Sequence, residues 1–294
     1  MNKVLHVPTR RSALIAIGAT CWVGTRSGSL RAQTSAAPLP VGDIVQRNIA
    51  ARGGAAAWRA VRTLSMSGMM DAGQSSPDAR RLVEETRSAP GRPRKRLHPE
   101  LTKTDTELPH TIRLPYLVEF RRPHQMRVEL KVKDATAVQV YDGAMGWKVR
   151  PFVGRREVEP FSAEELKLAL NQQEIDGPLI DHAAKGTKVD YAGKEIVEGR
   201  ETYKLKLTLK SGDTMNLWID ARTFLDVRLS LPRGSGGRQH WVVTTMRDFR
   251  SIDGLMLPFR LEDQILGSPT IQRIDVQQVA VNPSLADSRF AKPA

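Results

Sequence analysis

The last hundred residues of the chain alternate between apolar and polar positions. Leu205, Leu207 and Leu209 alternate with lysine and threonine, and the runs around Leu217 and Val227 have the same period of two. Strict alternation is typical of an antiparallel sheet with one apolar and one solvated face. Together with the short β-rich runs that begin at residue 114, it predicts roughly eleven strands. No helix separates consecutive strands, which excludes a parallel α/β fold.

Two regions have helical periodicity instead. Residues 41–61 carry apolar positions at helical spacing, interrupted by Gly53-Gly54, which predicts two short helices. Residues 162–185 begin with Ser162 and Glu165, spaced as a capping box. A Gly-Pro step divides this second region into two helices, the second ending near residue 186.

A meander with one apolar face must cover that face, which a closed barrel does with its own far wall and a half-barrel with other elements. The two helical regions are short, so we expect them to fill the interior incompletely and to leave a ligand cavity. The predicted cavity wall and lid consist of Val138, Val140, Trp147, Leu166, Leu170, Leu179, Ile180, Leu205, Leu207, Leu217, Val227 and Leu229. The alternative for any one of these residues is a place in a filled core.

The N-terminus has the pattern of an export signal. Lys3, Arg10 and Arg11 precede an apolar run over residues 13–24, which predicts a signal peptide over residues 1–32. Both the general secretory and the twin-arginine routes fit. A linker over residues 33–40 and a single domain over residues 41–294 would follow.

Cys21, the only cysteine of the 294 residues, lies inside the predicted signal peptide. It is either a lipidation site or a small apolar residue of a discarded segment. If the signal is removed, the mature chain has no cysteine, which suits an oxidising periplasm.

The chain has 45 Lys and Arg against 32 Asp and Glu, a formal net charge of +13. Five of the basic residues and no acidic residue lie in residues 1–32, so the mature chain carries +8. An exported chain without a basic-aromatic stacking motif is not expected to bind nucleic acid. The basic cluster of Arg92, Arg94, Lys95 and Arg96, in a Pro-rich loop over residues 74–112, is either a contact for anionic lipid headgroups or a solvated loop.

Several short motifs, in this order, resemble the LolA-type outer-membrane lipoprotein-sorting proteins. They are Arg122-Pro123-x-x-x-Arg127, Tyr141-Asp142-Gly143, Gly146-Trp147, Gly177-Pro178-Leu179-Ile180-Asp181, Ile219-Asp220-x-x-Thr223 and Asp253-Gly254-Leu255-x-Leu257-Pro258. The resemblance implies a mainly β, open antiparallel half-barrel of about eleven strands with a helical lid and an apolar cavity for acyl chains. It also implies carriage of lipidated proteins across the periplasm, or lipid sensing. In the carriers of that family an arginine of the barrel holds the lid.

The first functional hypothesis is therefore a periplasmic, monomeric carrier of lipid or lipoprotein acyl chains, with no bond chemistry, cofactor or metal. The second is a sensor or interaction domain whose exposed tryptophans bind a partner protein, the candidates being Trp58, Trp147, Trp218 and Trp241. An enzyme is the third. The histidines have no metal-ligand spacing, adjacent Asp181 and His182 do not face each other on a helix, and no nucleophile motif is present.

Overall fold

Thirteen antiparallel strands form one open sheet in the computed structural model, which describes residues 39–72, 112–151, 155–172, 174–235, 238–266 and 271–294. The predicted signal peptide, Cys21 and the basic cluster of Arg92, Arg94, Lys95 and Arg96 lie outside these residues, as does most of the predicted linker. None of the described helices is long and apolar enough to cross a membrane.

On each side of the sheet centre, strands that are consecutive in the chain lie next to each other. The spatial order is β6-β5-β4-β3-β2-β1-β13-β12-β11-β10-β9-β8-β7, so among the described strands only the pairing of β1 with β13 joins strands that are not consecutive in the chain. The bounds are β1 Thr63–Ala72, β2 Ile112–Arg121, β3 Gln125–Val132, β4 Ala135–Tyr141, β5 Gly146–Arg150, β6 Arg155–Pro160, β7 Lys188–Val197, β8 Arg200–Thr208, β9 Thr214–Asp220, β10 Asp226–Ser235, β11 Arg238–Ile252, β12 Leu255–Ile265 and β13 Ile271–Val281.

The mainly β, open antiparallel class predicted from the sequence is confirmed, with thirteen strands among the described residues where about eleven were expected. The two edge strands have the least regular alternation. β6 is mostly charged, and the pairing of β7 with β8 shifts register between Tyr191 and Gly193, which interrupts the alternation.

The edge strands β6 and β7 follow one another in the chain but lie at opposite edges of the sheet. Their connection therefore has to cross the sheet. It begins with helix α3, Ala163–Gln172, and continues as a series of turns to residue 186. We call residues 174–187 the lid segment, and the sheet face that the helices cover the inner face.

The two N-terminal helices are α1, Val41–Ala51, and α2, Ala55–Ala60, as the sequence predicts. Gly53 and Gly54 separate them with φ of 107° and 90°, which favour glycine. A Cβ on Gly53 would lie 2.3 Å from the carbonyl oxygen of Gly254, so the close approach of this turn to the β11–β12 turn also requires glycine.

The capping box is present, because the amide of Ser162 donates to the Glu165 carboxylate at 2.8 Å and the amide of Glu165 to the Ser162 hydroxyl at 3.2 Å. The predicted second helix of this region, ending near residue 186, is wrong. Gly177, Asp181 and Gly186 all have positive φ, which no continuous right-handed helix accommodates, so the lid segment consists of turns.

The main core lies where α1, α2 and the lid segment cover one half of the inner face. Its buried residues come from these elements, from the connection between α2 and β1, and from β1, β8, β9, β10 and β12: Ile44, Val45, Ile49, Trp58, Val61, Leu64, Ile175, Leu179, Ile180, Tyr203, Leu205, Leu207, Met215, Leu217, Ile219, Leu231, Leu255 and Leu257. A smaller cluster, with Val118, Met126 and Tyr141 of the sheet, packs under Ala169 of α3.

The C-terminal residues 283–294 lie on the other, outer face of β2 and β3. Phe290 is fully buried there, with the guanidinium of Arg121 4.5 Å from its ring centre. Arg289 binds the carboxylates of Glu119 and Glu129 at 2.6 and 2.9 Å. This segment makes the outer face of these strands a buried surface as well.

Candidate functional site

A cavity of about 920 Å³ lies between the lid segment and the part of the inner face that α1 and α2 leave uncovered. Sites for small molecules usually measure about 300–1,000 Å³, so this cavity is large. Eight strands contribute to its wall, and α3 and the lid segment form the side opposite the sheet.

The cavity wall is mixed in character. Its apolar residues are Val118, Phe120, Met126, Val128, Leu170, Pro178, Ala184, Leu209, Met215, Leu229, Leu231, Leu261 and Ile274. Its polar residues are Tyr116, His124, Gln139, Asn171, Glu174, Lys185, Thr187, Lys210, Ser211, Thr244 and Asp263. Apolar groups predominate on the strands near the sheet centre, and polar groups on the lid segment.

Asp176 anchors the lid segment at the cavity. Its side chain is 2% exposed and accepts a hydrogen bond from Arg122 at 2.7 Å and another from Lys185. Lys185 also pairs with Glu174 at 3.2 Å. One buried carboxylate thus joins two parts of the lid segment to the β2–β3 turn.

Arg122 links this anchor to the N-terminal helices. Its guanidinium donates to the carbonyls of Val61 at 2.8 Å and Trp58 at 3.2 Å, at the end of α2. Cations are favourable at the carboxyl end of a helix, where carbonyls lack partners. Arg122 therefore connects the β2–β3 turn, α2 and the lid segment through Asp176.

Arg52, at the end of α1, provides a second link to the lid segment. It donates to the carbonyl of Asp176 at 2.9 Å, lies 3.7 Å from the carboxylate of Asp226, and stacks on the ring of Trp58 at 4.8 Å. The indole of Trp58 donates to the Arg52 carbonyl at 2.9 Å, which fixes the turn between the helices. Asn48 donates to Asp226 at 2.8 Å and holds α1 on β10.

Helix α3 is held by ion pairs at its start and in its middle. At its start Lys148 of β5 binds both oxygens of Glu165 at 2.5 Å. Burial raises the pKa of Glu165, but the hydrogen bonds from Lys148 and Ser162 outweigh it, so the pKa of this carboxyl lies below its ordinary value. Lys167 pairs with Asp213 of the β8–β9 turn at 2.7 Å. The lid is therefore tied to strands from both halves of the sheet.

Two of the sequence-predicted residues, Leu170 and Leu229, line the cavity. Leu170 is 47% exposed and lies at its mouth. Leu166 packs from α3 against the smaller core cluster. Leu179, Ile180, Leu205, Leu207 and Leu217 lie on the inner side but in the filled main core, under the helices.

Val138, Val140 and Trp147, which the sequence predicts for a cavity wall, are not among the residues that line this cavity. Val140 is paired directly with Arg127 and with Trp147, and paired residues share a face. Arg127, which lies between two cavity-lining residues of β3, donates to the carbonyl of Arg289 on the outer face. Because the C-terminal segment covers β2 and β3 there, apolar residues on the outer side of this sheet half are also buried.

Val227, also predicted for a cavity wall, lies away from this cavity for a different reason. The register between β9 and β10 shifts at Val227, which is the extra residue of a β-bulge. Val227 packs with Val197 and Trp218 in a small cluster on the outer face. Leu229, two residues later, points to the cavity although simple alternation gives both residues the same face.

Several residues of the site were not predicted from the sequence. The apolar wall from Val118 to Val128 lies in strands that the sequence predicts. The alternation of apolar and polar residues in these strands does not show which half of the inner face stays uncovered. Arg122 belongs to a recognised motif without an assigned role. Asp176 and Asp263 have no local signal, because their partners are distant in the chain.

Among the described residues, no group of three or more His, Cys, Asp or Glu side chains could hold a metal ion.

Comparison with known proteins decides the fold. No family model matches the chain, and no curated protein matches it. A solved structure of a LolA superfamily protein from Nitrosomonas europaea superposes with a TM-score of 0.50 at 14% identity, over 87% of this chain and 99% of that one. The chain has a LolA-like fold.

Two further structures share this LolA-like architecture. A DUF1329 family protein from Desulfovibrio piger gives a TM-score of 0.53 at 12% identity, over 86% of this chain and 98% of that one. A structure from Vibrio parahaemolyticus described as an outer membrane lipoprotein-sorting protein domain gives 0.50 at 10% identity, over 85% and 95%. At these identities the likeness concerns the fold, and the function must be argued from the site.

Proposed function

We propose that the chain is an exported, periplasmic carrier of lipid or lipoprotein acyl chains and performs no bond chemistry. The observation that carries the proposal is the cavity between the lid segment and the sheet, with Val118, Val128, Leu229, Leu261 and Ile274 in its wall. An acyl chain has no polar groups to satisfy and gains about 25 cal/mol for each Å² removed from water. The LolA-like fold supports the proposal, because one protein that shares it is described as lipoprotein-sorting.

The lid supports reversible binding. Helix α3 is anchored through the ion pair of Lys148 and Glu165, whose partners are partly exposed. The lid segment, in contrast, contributes Ile175, Leu179 and Ile180 to the main core. We therefore propose that α3 moves away from the sheet when an acyl chain enters, while the lid segment, α1 and α2 stay in place.

Extraction of the protein from its native host tests the proposal. The chain should be purified from the periplasm without detergent, and the extracted lipids identified by mass spectrometry. We expect a bound amphiphile with an acyl chain. Absence of any lipid, together with failure to bind a fluorescent fatty acid, would contradict the proposal. The same preparation reports periplasmic location, signal cleavage near residue 32 and the monomeric state.

A second candidate is a sensor or interaction domain that binds a partner protein. The observation that favours it is a group of exposed apolar residues at the tips of β11, β12 and β13, consisting of Trp241, Ile265, Leu266 and Ile271. Of the four tryptophans that are candidates for binding a partner protein, Trp58 and Trp218 are buried and Trp147 is half-buried. Affinity purification that yields one stoichiometric partner protein and no lipid would favour this function over the carrier.

A further inference from the structure

Three polar residues interrupt the apolar cavity wall near the centre of the sheet. Tyr116 lies on β2, Thr244 on β11 and Asp263 on β12. Their neighbours in the wall include Val118, Leu261 and other apolar residues. A carrier of purely hydrocarbon chains would have no use for a carboxylate at this place, since a charge in an apolar wall is costly.

Tyr116 and Asp263 line the same cavity from β2 and β12, which are separated in the sheet by β1 and β13. Tyr116 is paired with Gly68 of β1, which has no side chain to separate the ring from the strands beyond. Burial, and then the negative charge of Asp263, raise the pKa of the Tyr116 hydroxyl above its ordinary value. The phenol therefore stays protonated and neutral at physiological pH.

Asp263 has a hydrogen bond but no cation. The hydroxyl of Thr244 donates to its carboxylate. Within the described ranges, no Lys, Arg or His nitrogen lies within 4.0 Å of it, whereas Glu262, the preceding residue, pairs with Arg247 at 2.8 Å. Glu262, on the outer face, is thus paired with an arginine, whereas Asp263, in the cavity, has no cationic partner among the described residues.

The lysines of the cavity do not neutralise Asp263. Lys185 is bound by Asp176 and Glu174 in the lid segment. Lys210 is exposed and lies beside Gly186, on the lid side of the cavity. A positively charged ligand group would therefore find an uncompensated carboxylate on β12 and two neutral hydroxyls, that of Thr244 on the adjacent strand β11 and that of Tyr116 on β2.

We propose that Tyr116, Thr244 and Asp263 form a subsite for the protonated amine of an amphiphile whose acyl portion lies along the apolar wall. The ammonium donates to the Asp263 carboxylate, and the two hydroxyls complete its hydrogen bonds. The proposal rests on the proposed function, because it names the polar group of the ligand that the same cavity would carry.

Competition with three ten-carbon amphiphiles tests the subsite. Decylamine, decanol and decanoate, each at pH 7 and below its micelle concentration, should be measured for displacement of a neutral fluorescent apolar probe. The proteins are the full mature chain, Asp263→Asn, Thr244→Val and the control Glu262→Gln. Glu262 is the matched control because it is the adjacent carboxylate on the opposite face of the same strand.

We expect decylamine to bind the unmodified chain at least about tenfold more tightly than decanol, the size of one charge-assisted hydrogen bond. Asp263→Asn should remove this preference and leave decanol binding unchanged, Thr244→Val should reduce the preference, and Glu262→Gln should retain it. Equal affinities for decylamine and decanol, tighter binding of decanoate, or a preference that survives in Asp263→Asn would overturn the subsite while the carrier function stands. If neither the probe nor any of the three amphiphiles binds, both proposals are wrong.

Discussion

The substitution Asp176→Asn tests the anchoring of the lid most sharply. Asp176 is 2% exposed, while its partners Arg122 and Lys185 are 23% and 18% exposed. Loss of one partner from a buried ion pair costs about 3–5 kcal/mol. The cost is smaller here because both cations are partly solvated and because the amide oxygen of the asparagine can still accept a hydrogen bond. We expect a loss of roughly 2–3 kcal/mol, localised in the lid segment.

Hydrogen exchange measures this loss directly. The amides of Lys185 and Thr187 are bonded within the lid segment, to the carbonyls of Asp181 and His182. A loss of 2–3 kcal/mol corresponds to exchange about 30 to 150 times faster at these amides in Asp176→Asn. Amides of β8 around Leu205 should keep their protection, because the main core is not altered.

The control variant is Asp181→Asn, in the same segment. Asp181 pairs with Arg59 at 2.8 Å, but both side chains are exposed, so its loss should change exchange little. Equal protection in Asp176→Asn and the unmodified chain would refute the anchoring argument. Uniform acceleration that includes β8 would show that Asp176 supports the whole fold and not the lid.

Three further predictions concern the core, the lid and the C-terminal segment. Leu205→Ala should lower the free energy of unfolding by about 2–5 kcal/mol in urea denaturation, whereas Leu170→Ala, at the half-exposed mouth, should barely change it. The folded pKa of Glu165 lies below its unfolded value of 4.5. The stabilisation from Lys148 is therefore complete above pH 4.5 and is lost as the pH falls through the folded pKa. Glu165→Gln should remove this part of the pH dependence of the free energy of unfolding. Phe290→Ala should cost about 3–5 kcal/mol in thermal unfolding, and a cost below 1 kcal/mol would contradict its role on the outer face.

The sequence predicts those features whose signal is local. Alternation along β8 to β10 gives the antiparallel sheet, Gly53-Gly54 separates two helices, and the spacing of Ser162 and Glu165 gives the start of α3. Each of these depends on residues a few positions apart. The open form of the sheet, in contrast, is what the resemblance to the LolA-type proteins implies.

Features that depend on distant parts of the chain could not be predicted. Val140 is buried on the outer face, where the C-terminal segment binds its paired neighbour Arg127, and Val227 changes face because of one inserted residue. Whether an inner-face leucine belongs to the core or to the cavity depends on where α1 comes to rest, through Asn48 and Asp226. Alternation identifies a face, but only the tertiary arrangement shows which part of that face stays uncovered.

Titration with a fluorescent fatty acid, comparing the unmodified chain with Leu229→Trp, tests the central claim most directly. An indole at Leu229 enters the cavity wall, whereas the control Ile196→Trp adds the same group at a 69% exposed position on β7. The account predicts saturable binding of the fatty acid, at least tenfold weaker in Leu229→Trp and unchanged in Ile196→Trp, with all three proteins equally folded by circular dichroism. Equal binding by Leu229→Trp and the unmodified chain, or no binding by the unmodified chain, would contradict the claim that this cavity carries acyl chains.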